Sequence, residues 1–224
     1  RVLFRSHLNL DSLTTDTAFI TLKLTNKAGH KFPSGYPARR AVVQFVLLDV
    51  NNDTIFKTGM FDNNFNVKNE DVPFEPHHNI INNENEVQIY EMVMGDVNGN
   101  FTTVLERADT TLKDNRLTPE GFSTSHPSYD TIKIVGDAAT DPDFNHYPNG
   151  NEGSGTDEIH FHISVIDYEG LASASAFVFY QSVPPKWLSE MFQLSSAPID
   201  TFKNMYYSEG NYPILVGSDA IYNI

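Results

Sequence analysis

The side chains that could do chemistry in this sequence fall into four groups. In the first, Thr25 to Arg40 reads as a rigid loop between two strands. Gly29, Pro33, Gly35 and Pro37 set its path, and His30, Arg39 and Arg40 are its unusual polar groups. An imidazole here could ligate a metal or a cofactor carried by a partner, and an arginine could pair with a carboxylate. Adjacent residues on extended backbone point to opposite faces, so only one of Arg39 and Arg40 can serve a given site. The plainer alternative is a stiff connector whose arginine is tied to a local acid. In the second group, Glu75, His77 and His78, the neighbouring histidines diverge, so one of them can share a face with Glu75 or be donated as a single ligand to something outside the chain.

The third group is His160 and His162, two apart on a strand and therefore on one face. Such a pair binds a transition metal if a neighbour supplies a third ligand, and is otherwise a solvated sheet face. The fourth is an oxygen-rich loop with Asp137, Asp141, Asp143, Asn145, Asn149, Asn151, Glu152 and Asp157. Calcium takes about six to eight oxygens on a flexible segment, although this spacing is not that of the helix-loop-helix calcium motif. The expected metal ligands are Asp137, Asp141, Asp143, Asp157, His160 and His162, with calcium the expected ion of the loop. His7, His126 and His146 read as lone surface histidines.

The elements that must position these groups are mostly strands. Alternation marks strands over 2–10, 17–25, 86–95 and 157–167, and 41–50 is apolar on both faces, as a central strand is. Residues 54–58 return from Asn51-Asn52-Asp53 as a hairpin, 101–108 return from Asn98-Gly99, and 172–181 are expected to pair with 157–167. A short strand is expected at 131–135. Residues 59–85 and 136–156 are long irregular stretches, and 112–124 read as polar and turn-like. After Pro184-Pro185, Lys186 to Phe192 suggest a short helix, and the aromatics of 198–224 suggest a tail packed on the body. The expected fold is all-β: a two-sheet antiparallel β-sandwich with long loops over residues 1–183 and a short mixed C-terminal extension over 184–224.

Composition bounds the function. The formal charge is −14, with 15 basic side chains against 29 acidic ones, which leaves no basic cluster for nucleic acid or anionic lipid. No apolar run is long enough for a membrane span. Cysteine is absent, which excludes disulfides, thiolate metal sites, thiol nucleophiles and a covalently attached c-type haem in this chain. No phosphate-binding glycine loop, His-Glu-x-x-His or nucleophile elbow occurs, and nothing selects a catalytic pair among the carboxylates. The opening Arg1-Val2-Leu3-Phe4-Arg5 reads as a processed chain or a fragment rather than as a signal peptide.

Several segments, in order, carry a resemblance. They are Gly29-His30-Lys31-Phe32-Pro33-Ser34-Gly35-Tyr36-Pro37-Ala38-Arg39-Arg40, Glu75-Pro76-His77-His78-Asn79-Ile80-Ile81, Gln88-Ile89-Tyr90-Glu91, Leu112-Lys113-Asp114-Asn115-Arg116-Leu117, and Phe179-Tyr180-Gln181-Ser182 with Pro184-Pro185. Together they resemble the cysteine-free β-rich domain that follows the haem-binding part of bacterial multihaem c-type cytochromes of the cytochrome c554 type. The resemblance implies a periplasmic or extracellular module packed on a haem-bearing domain. His30, then His77 or His78, would supply an axial ligand, and Arg39 and Arg40 would lie near propionates or the domain interface. The haem-attachment motif Cys-x-x-Cys-His is missing, so the haem-bearing part is a separate chain, or was lost by processing, or the β-domain is reused as a structural or binding module without haem. The competing expectation is a structural or adhesive module of a surface filament or a glycan-binding protein, with Trp187 or Tyr206-Tyr207 as the contact. A secreted hydrolase is a third.

Overall fold

The structure is a computed structural model that describes residues 4–224. Val2 and Leu3 of the first expected strand lie outside the described residues. The strands are β1 (Phe4–Leu13), β2 (Thr17–Asn26), β3 (Arg40–Asp49), β4 (Thr54–Thr58), β5 (Ile80–Ile81), β6 (Ile89–Tyr90), β7 (Met92–Gly95), β8 (Phe101–Thr102), β9 (Thr110–Asp114), β10 (Thr156–Ser164), β11 (Ala172–Gln181) and β12 (Ile214–Tyr222). The helices are α1 (Pro185–Leu188) and α2 (Ala197–Glu209). One sheet runs β1-β2-β10-β5, the second β12-β11-β3-β4 with β6 also on β3, and a small third sheet runs β8-β7-β9.

The two larger sheets face each other, as period-2 burial requires. Ala18, Ile20, Leu22 and Leu24 of β2 and Ile159, Phe161 and Ile163 of β10 meet Ala41, Val43, Phe45 and Leu47 of β3 and Ala174, Ala176 and Val178 of β11 in one core. Phe45 stacks on Phe161 across it at 4.0 Å between ring centres. The other face of β3 is covered as well, where Val42 packs with Val67, Val87, Ile89 and Phe61. The long stretch after β4 is therefore held on a sheet face by its apolar residues. At its start Gly59 has φ +70, and a Cβ there would lie 1.9 Å from the Val43 carbonyl oxygen.

Five expectations change. β10 and β11 are not a hairpin: β10 pairs with β2 and β11 with β3, so residues 165–171 carry the chain from one sheet to the other. The strand expected at 86–95 breaks at Glu91, whose N–H donates to Asn115 Oδ1 (2.9 Å), and the chain leaves for the third sheet. The turn-like segment from Leu112 opens as the end of β9, whereas 131–135 contributes a single bridge, Val135 to Asp114. The helix expected over Lys186–Phe192 is α1 followed by a 3-10 turn at Met191–Gln193. Beyond it, β12 lies antiparallel along β11. Asp219 of β12 accepts the Leu8 N–H of β1 at 2.8 Å, which ties the two sheets along one side. No helix among the described residues is long and apolar enough to cross a membrane.

Candidate functional site

The His30 loop is fastened by polar groups that point inward. Buried Asn26, at the end of β2, donates from Nδ2 to the carbonyls of His30 (2.8 Å) and Leu117 (2.9 Å) and accepts the Ala28 N–H at Oδ1 (2.9 Å). Phe32 and Leu117 exchange two backbone hydrogen bonds, both of 2.8 Å. Lys31 is buried, and its ammonium reaches Asp114 Oδ2 and the Lys133 carbonyl, both at 2.9 Å. Burial lowers the Lys31 pKa, against the pull of Asp114. Gly35 takes φ +77 at the bend, and Arg39 Nη1 donates to the Ser34 carbonyl at 2.9 Å. Tyr36 sets its ring edge-on to Trp187 at 5.6 Å, so the loop also touches α1. The result is a stiff loop with an exposed histidine.

The His30 tautomer follows from one contact. Nδ1 lies 2.8 Å from the Lys31 carbonyl oxygen, which can only accept. The proton is therefore on Nδ1, and Nε2 keeps its lone pair, as in imidazoles that ligate a metal through Nε2. The two arginines part company as the extended backbone requires. Arg39 braces its own loop. Arg40 is 1% exposed, with Nε donating to Gln181 Oε1 (2.8 Å) and Nη1 to both oxygens of Glu70 (3.0 and 2.9 Å). Arg40 thus lies inside the protein on a local acid and is not presented to a propionate.

His77 is buried in the same polar interior. Gln88 Nε2 and Asn115 Nδ2 approach its Nδ1 at 2.7 and 3.1 Å. Both amides are oriented by backbone: Gln88 Oε1 accepts the His78 N–H, while Asn115 Oδ1 accepts the Glu91 N–H and its Nδ2 donates to the Ile89 carbonyl. Nδ1 must accept, so Nε2 carries the proton and donates to Asp141 Oδ2 at 2.9 Å. Asp157 Oδ2 lies 3.9 Å from the same nitrogen and accepts the Tyr90 hydroxyl at 2.5 Å. His77, Asp141 and Asp157 are close enough to surround a cation. A neutral imidazole bound through Nε2 would, however, need a proton on Nδ1, aimed at two N–H donors. The three residues form a hydrogen-bond hub, and His77 cannot reach a ligand outside the chain.

The carboxyl groups of this hub differ in character. Burial pushes the Asp157 carboxyl up to about 6, with the neighbouring Asp141 charge adding to the rise and His77 opposing it. Burial also pushes Asp141 up, but hydrogen bonds from His77 and from the N–H groups of Asp143 and Phe144 outweigh it and hold the group below the usual range. Beside them, Lys113 is fully buried, and its ammonium donates to the carbonyls of Glu75 (2.7 Å) and Ile89 (3.0 Å) and to Glu91 Oε1 (3.2 Å). His78 diverges from His77 as expected and pairs with Glu75 Oε1 at 2.7 Å. The segments on which the resemblance rests therefore meet in space: Glu75-Pro76-His77-His78, Gln88 to Glu91, Lys113 to Arg116, and Arg40 with Gln181.

No family model matches the sequence, and no curated protein matches it. One solved structure shares the fold. It is a penta-heme cytochrome c552 from Thermochromatium tepidum, with TM-score 0.55 and 13% sequence identity, and the match covers 98% of this chain and 38% of that one. At that identity the likeness is one of fold. The chain spans well under half the length of the cytochrome.

The oxygen-rich loop does not converge on one point. Asp137 is exposed and begins a 3-10 turn, Asp141 and Asp157 belong to the buried hub, and Asp143 reaches a different residue, His160, with Oδ2 3.0 Å from Nε2. His162 lies edge-on to Phe19 at 4.8 Å between ring centres, away from this pair. The Nδ1 of His160 is 2.7 Å from Thr21 Oγ1, and Glu158 completes a half-exposed group with Asp143 and His160. Of the remaining histidines, His146 donates from Nδ1 to the Phe144 carbonyl at 2.8 Å, while His126 Nδ1 accepts the Ser128 N–H at 3.1 Å. Reading the sequence alone missed Glu70, Gln88, Tyr90, Lys113, Asn115, Thr21 and Glu158. Glu158, between Asp157 and His160 on a recognised strand, and Gln88, Tyr90, Lys113 and Asn115, inside segments that carry the resemblance, had a signal that could have found them, whereas Glu70 and Thr21 had none.

Proposed function

We propose that this chain is an extracytoplasmic β-sandwich module, a subunit or part of a larger protein, that docks on a haem-bearing partner and presents His30 to one of its irons. The observation that carries this reading is the His30 ring: it is exposed, fixed by a hydrogen bond from Nδ1 to the Lys31 carbonyl, and has Nε2 free to ligate. The shared fold with part of a penta-heme cytochrome supports it. The rigid seat reduces the ordering cost of ligation, because the loop is already held by Asn26, Lys31 and the Phe32–Leu117 pair. Arg39, half-buried at the loop's end, is the remaining arginine candidate for a propionate.

The experiment is to purify the intact particle from its native source and record its absorbance and electron paramagnetic resonance. Haem should accompany the chain, and His30→Ala should convert a low-spin haem to a high-spin one. A colourless particle defeats the docking reading. A coloured particle whose haem spin state is the same with His30→Ala defeats ligation.

A second reading has its own observation. An open cleft of about 510 Å³ is lined by Asn64, Asn66, Ser189 and Gln193 together with the aromatic rings of Phe192 and Tyr207. Amides and hydroxyls beside aromatic faces suit an oligosaccharide. On this reading, glycan binding survives His30→Ala and is lost with Tyr207→Ala.

A further inference from the structure

His160 sits in β10 directly opposite Thr21 of β2. The Thr21 hydroxyl has one proton, and it donates that proton to Asp11 Oδ2 at 2.5 Å. Toward His160, at 2.7 Å, the same oxygen can therefore only accept. This puts a proton of His160 on Nδ1 and aims Nε2 at Asp143 Oδ2, 3.0 Å away. A nitrogen and a carboxylate oxygen at that distance are joined either by a proton on Nε2, which makes His160 and Asp143 an ion pair, or by a metal ion in the proton's place. Glu158, on the same face of β10, brings a carboxylate oxygen within 4.8 Å of both. One of its oxygens, Oε1, is held by Lys23 at 2.6 Å, which leaves the other for a ligand.

We propose that Asp143, Glu158 and His160 hold a first-row divalent cation such as Zn²⁺, with Thr21 and Asp11 as positioning residues behind the imidazole. Three features carry this. The ligand set is one imidazole and two carboxylates, which suits zinc and its neighbours better than the all-oxygen shell of calcium. Two ligands about 2.1 Å from one ion lie roughly 3.0 to 3.4 Å apart for angles from a right angle to the tetrahedral one, and Nε2 and Oδ2, at 3.0 Å, stand at the short end of that range. The relay from Nδ1–H to the Thr21 hydroxyl and on to the Asp11 carboxylate is the outer-shell arrangement that orients metal-bound histidines and raises their basicity. The group is half-exposed, so the ion keeps solvent-facing positions. The site lies on the outer face of the β1-β2-β10-β5 sheet and makes no use of His30.

The test is calorimetric titration of the full chain, freed of metal by a chelator, with Zn²⁺, Co²⁺ and Ca²⁺ alone. Zn²⁺ should bind one ion per chain, and Co²⁺ should give the visible absorption of an imidazole–carboxylate site. His160→Ala should abolish both signals, and the near-isosteric Asp143→Asn should weaken Zn²⁺ at least tenfold. Thr21→Val should weaken it roughly ten- to a hundredfold through loss of the relay, while His162→Ala, two residues away on the same strand, should change nothing. Near-ultraviolet circular dichroism checks that each variant is folded. The proposal is overturned if Zn²⁺ does not bind below millimolar concentration. It is equally overturned if His162→Ala weakens binding as much as His160→Ala, the mark of adventitious surface binding, or if Ca²⁺ binds and is indifferent to His160→Ala.

Discussion

Arg40 and Glu70 form a buried ion pair in which a single nitrogen, Nη1, donates to both carboxylate oxygens at 3.0 and 2.9 Å. Lys186 reaches the same carboxylate from α1 at 2.5 Å. The start of β3, the stretch after β4 and the C-terminal segment are thus joined by one acid, and the ring contact of Tyr36 with Trp187 extends this junction to the His30 loop.

The Glu70 junction gives a pH-dependent stability with a definite sign. Burial raises the Glu70 carboxyl, but Arg40 and Lys186 outweigh it and hold the group below its ordinary range. A depressed folded-state pKa contributes stability that is present above the unfolded value, about 4.3, and is lost as pH falls through the lower folded value. Glu70→Gln should cost roughly 3–5 kcal/mol at neutral pH, the cost of leaving a buried charge without its partner, and the cost should shrink in acid. Urea denaturation at about pH 7 and about pH 3.5 checks this. An equal cost at both would show that the ion pair is not what stabilises the junction.

Asp157 has the opposite sign. Its carboxyl is raised to about 6 because it is fully buried beside the Asp141 charge, and its Oδ1 finds no hydrogen-bond partner among the described residues. A raised acid favours the native state most when it is protonated. That contribution is complete below about pH 4 and is lost as pH rises through about 6, and it is worth on the order of 3 kcal/mol. Asp157→Asn should therefore flatten the stability profile between about pH 4 and pH 7 and leave the variant no less stable than wild type at the upper end. The measurement is made with a chelator present, so that metal binding at Glu158 does not enter. A variant profile parallel to wild type across this window would sink the assignment.

Which parts of this molecule a sequence can reveal follows from how each part is held. β2, β3, β4 and β10 were legible because burial of one face, or both, imposes a pattern every two residues. The partner of a strand is not in that pattern: β10 and β11 alternate well, yet each pairs with a strand far back in the chain. β12 hid because it is an edge strand with exposed Ile214 and Leu215 and a glycine, Gly217, where Phe4 leaves no room for a Cβ. The buried hub hid for a different reason. Lys113, Asp114 and Asn115 look like surface residues, and only their distant partners Glu91, Lys31 and His77 make their burial tolerable. The His30 loop was legible as a rigid element from its prolines and glycines. What fastens it, Asn26 and Lys31, was not.

The fastening of that loop can be tested directly. Asn26→Ala removes the donor to two carbonyls, those of His30 and Leu117, and the acceptor for the Ala28 N–H. Leaving these groups unsatisfied should cost about 1–3 kcal/mol. It should also raise amide hydrogen exchange across residues 27–35 by more than in β3. Gly29→Ala is the contrasting variant, because a Cβ there meets nothing within 4 Å, and it should leave exchange unchanged. If both variants behave alike, Asn26 is not the clamp.

The deepest test of the site geometry lies in the imidazole protons. The hydrogen bonds assign His77 to the Nε2–H form, because Gln88 and Asn115 donate to Nδ1. They assign His30 and His146 to the Nδ1–H form, because backbone carbonyls accept from that nitrogen. Free neutral histidine exchanges rapidly between its two tautomers, so opposite tautomers fixed at different residues would be a product of the fold. Long-range proton–nitrogen correlation spectra at about pH 8 should show a bare Nδ1 for His77 and a bare Nε2 for His30 and His146. Gln88→Leu should remove one of the two donors and move the His77 nitrogen shifts while leaving those of His30 in place. A protonated Nδ1 in His77 would reopen that residue as a metal ligand beside Asp141 and Asp157. A protonated Nε2 in His30 would remove the free lone pair on which haem ligation depends.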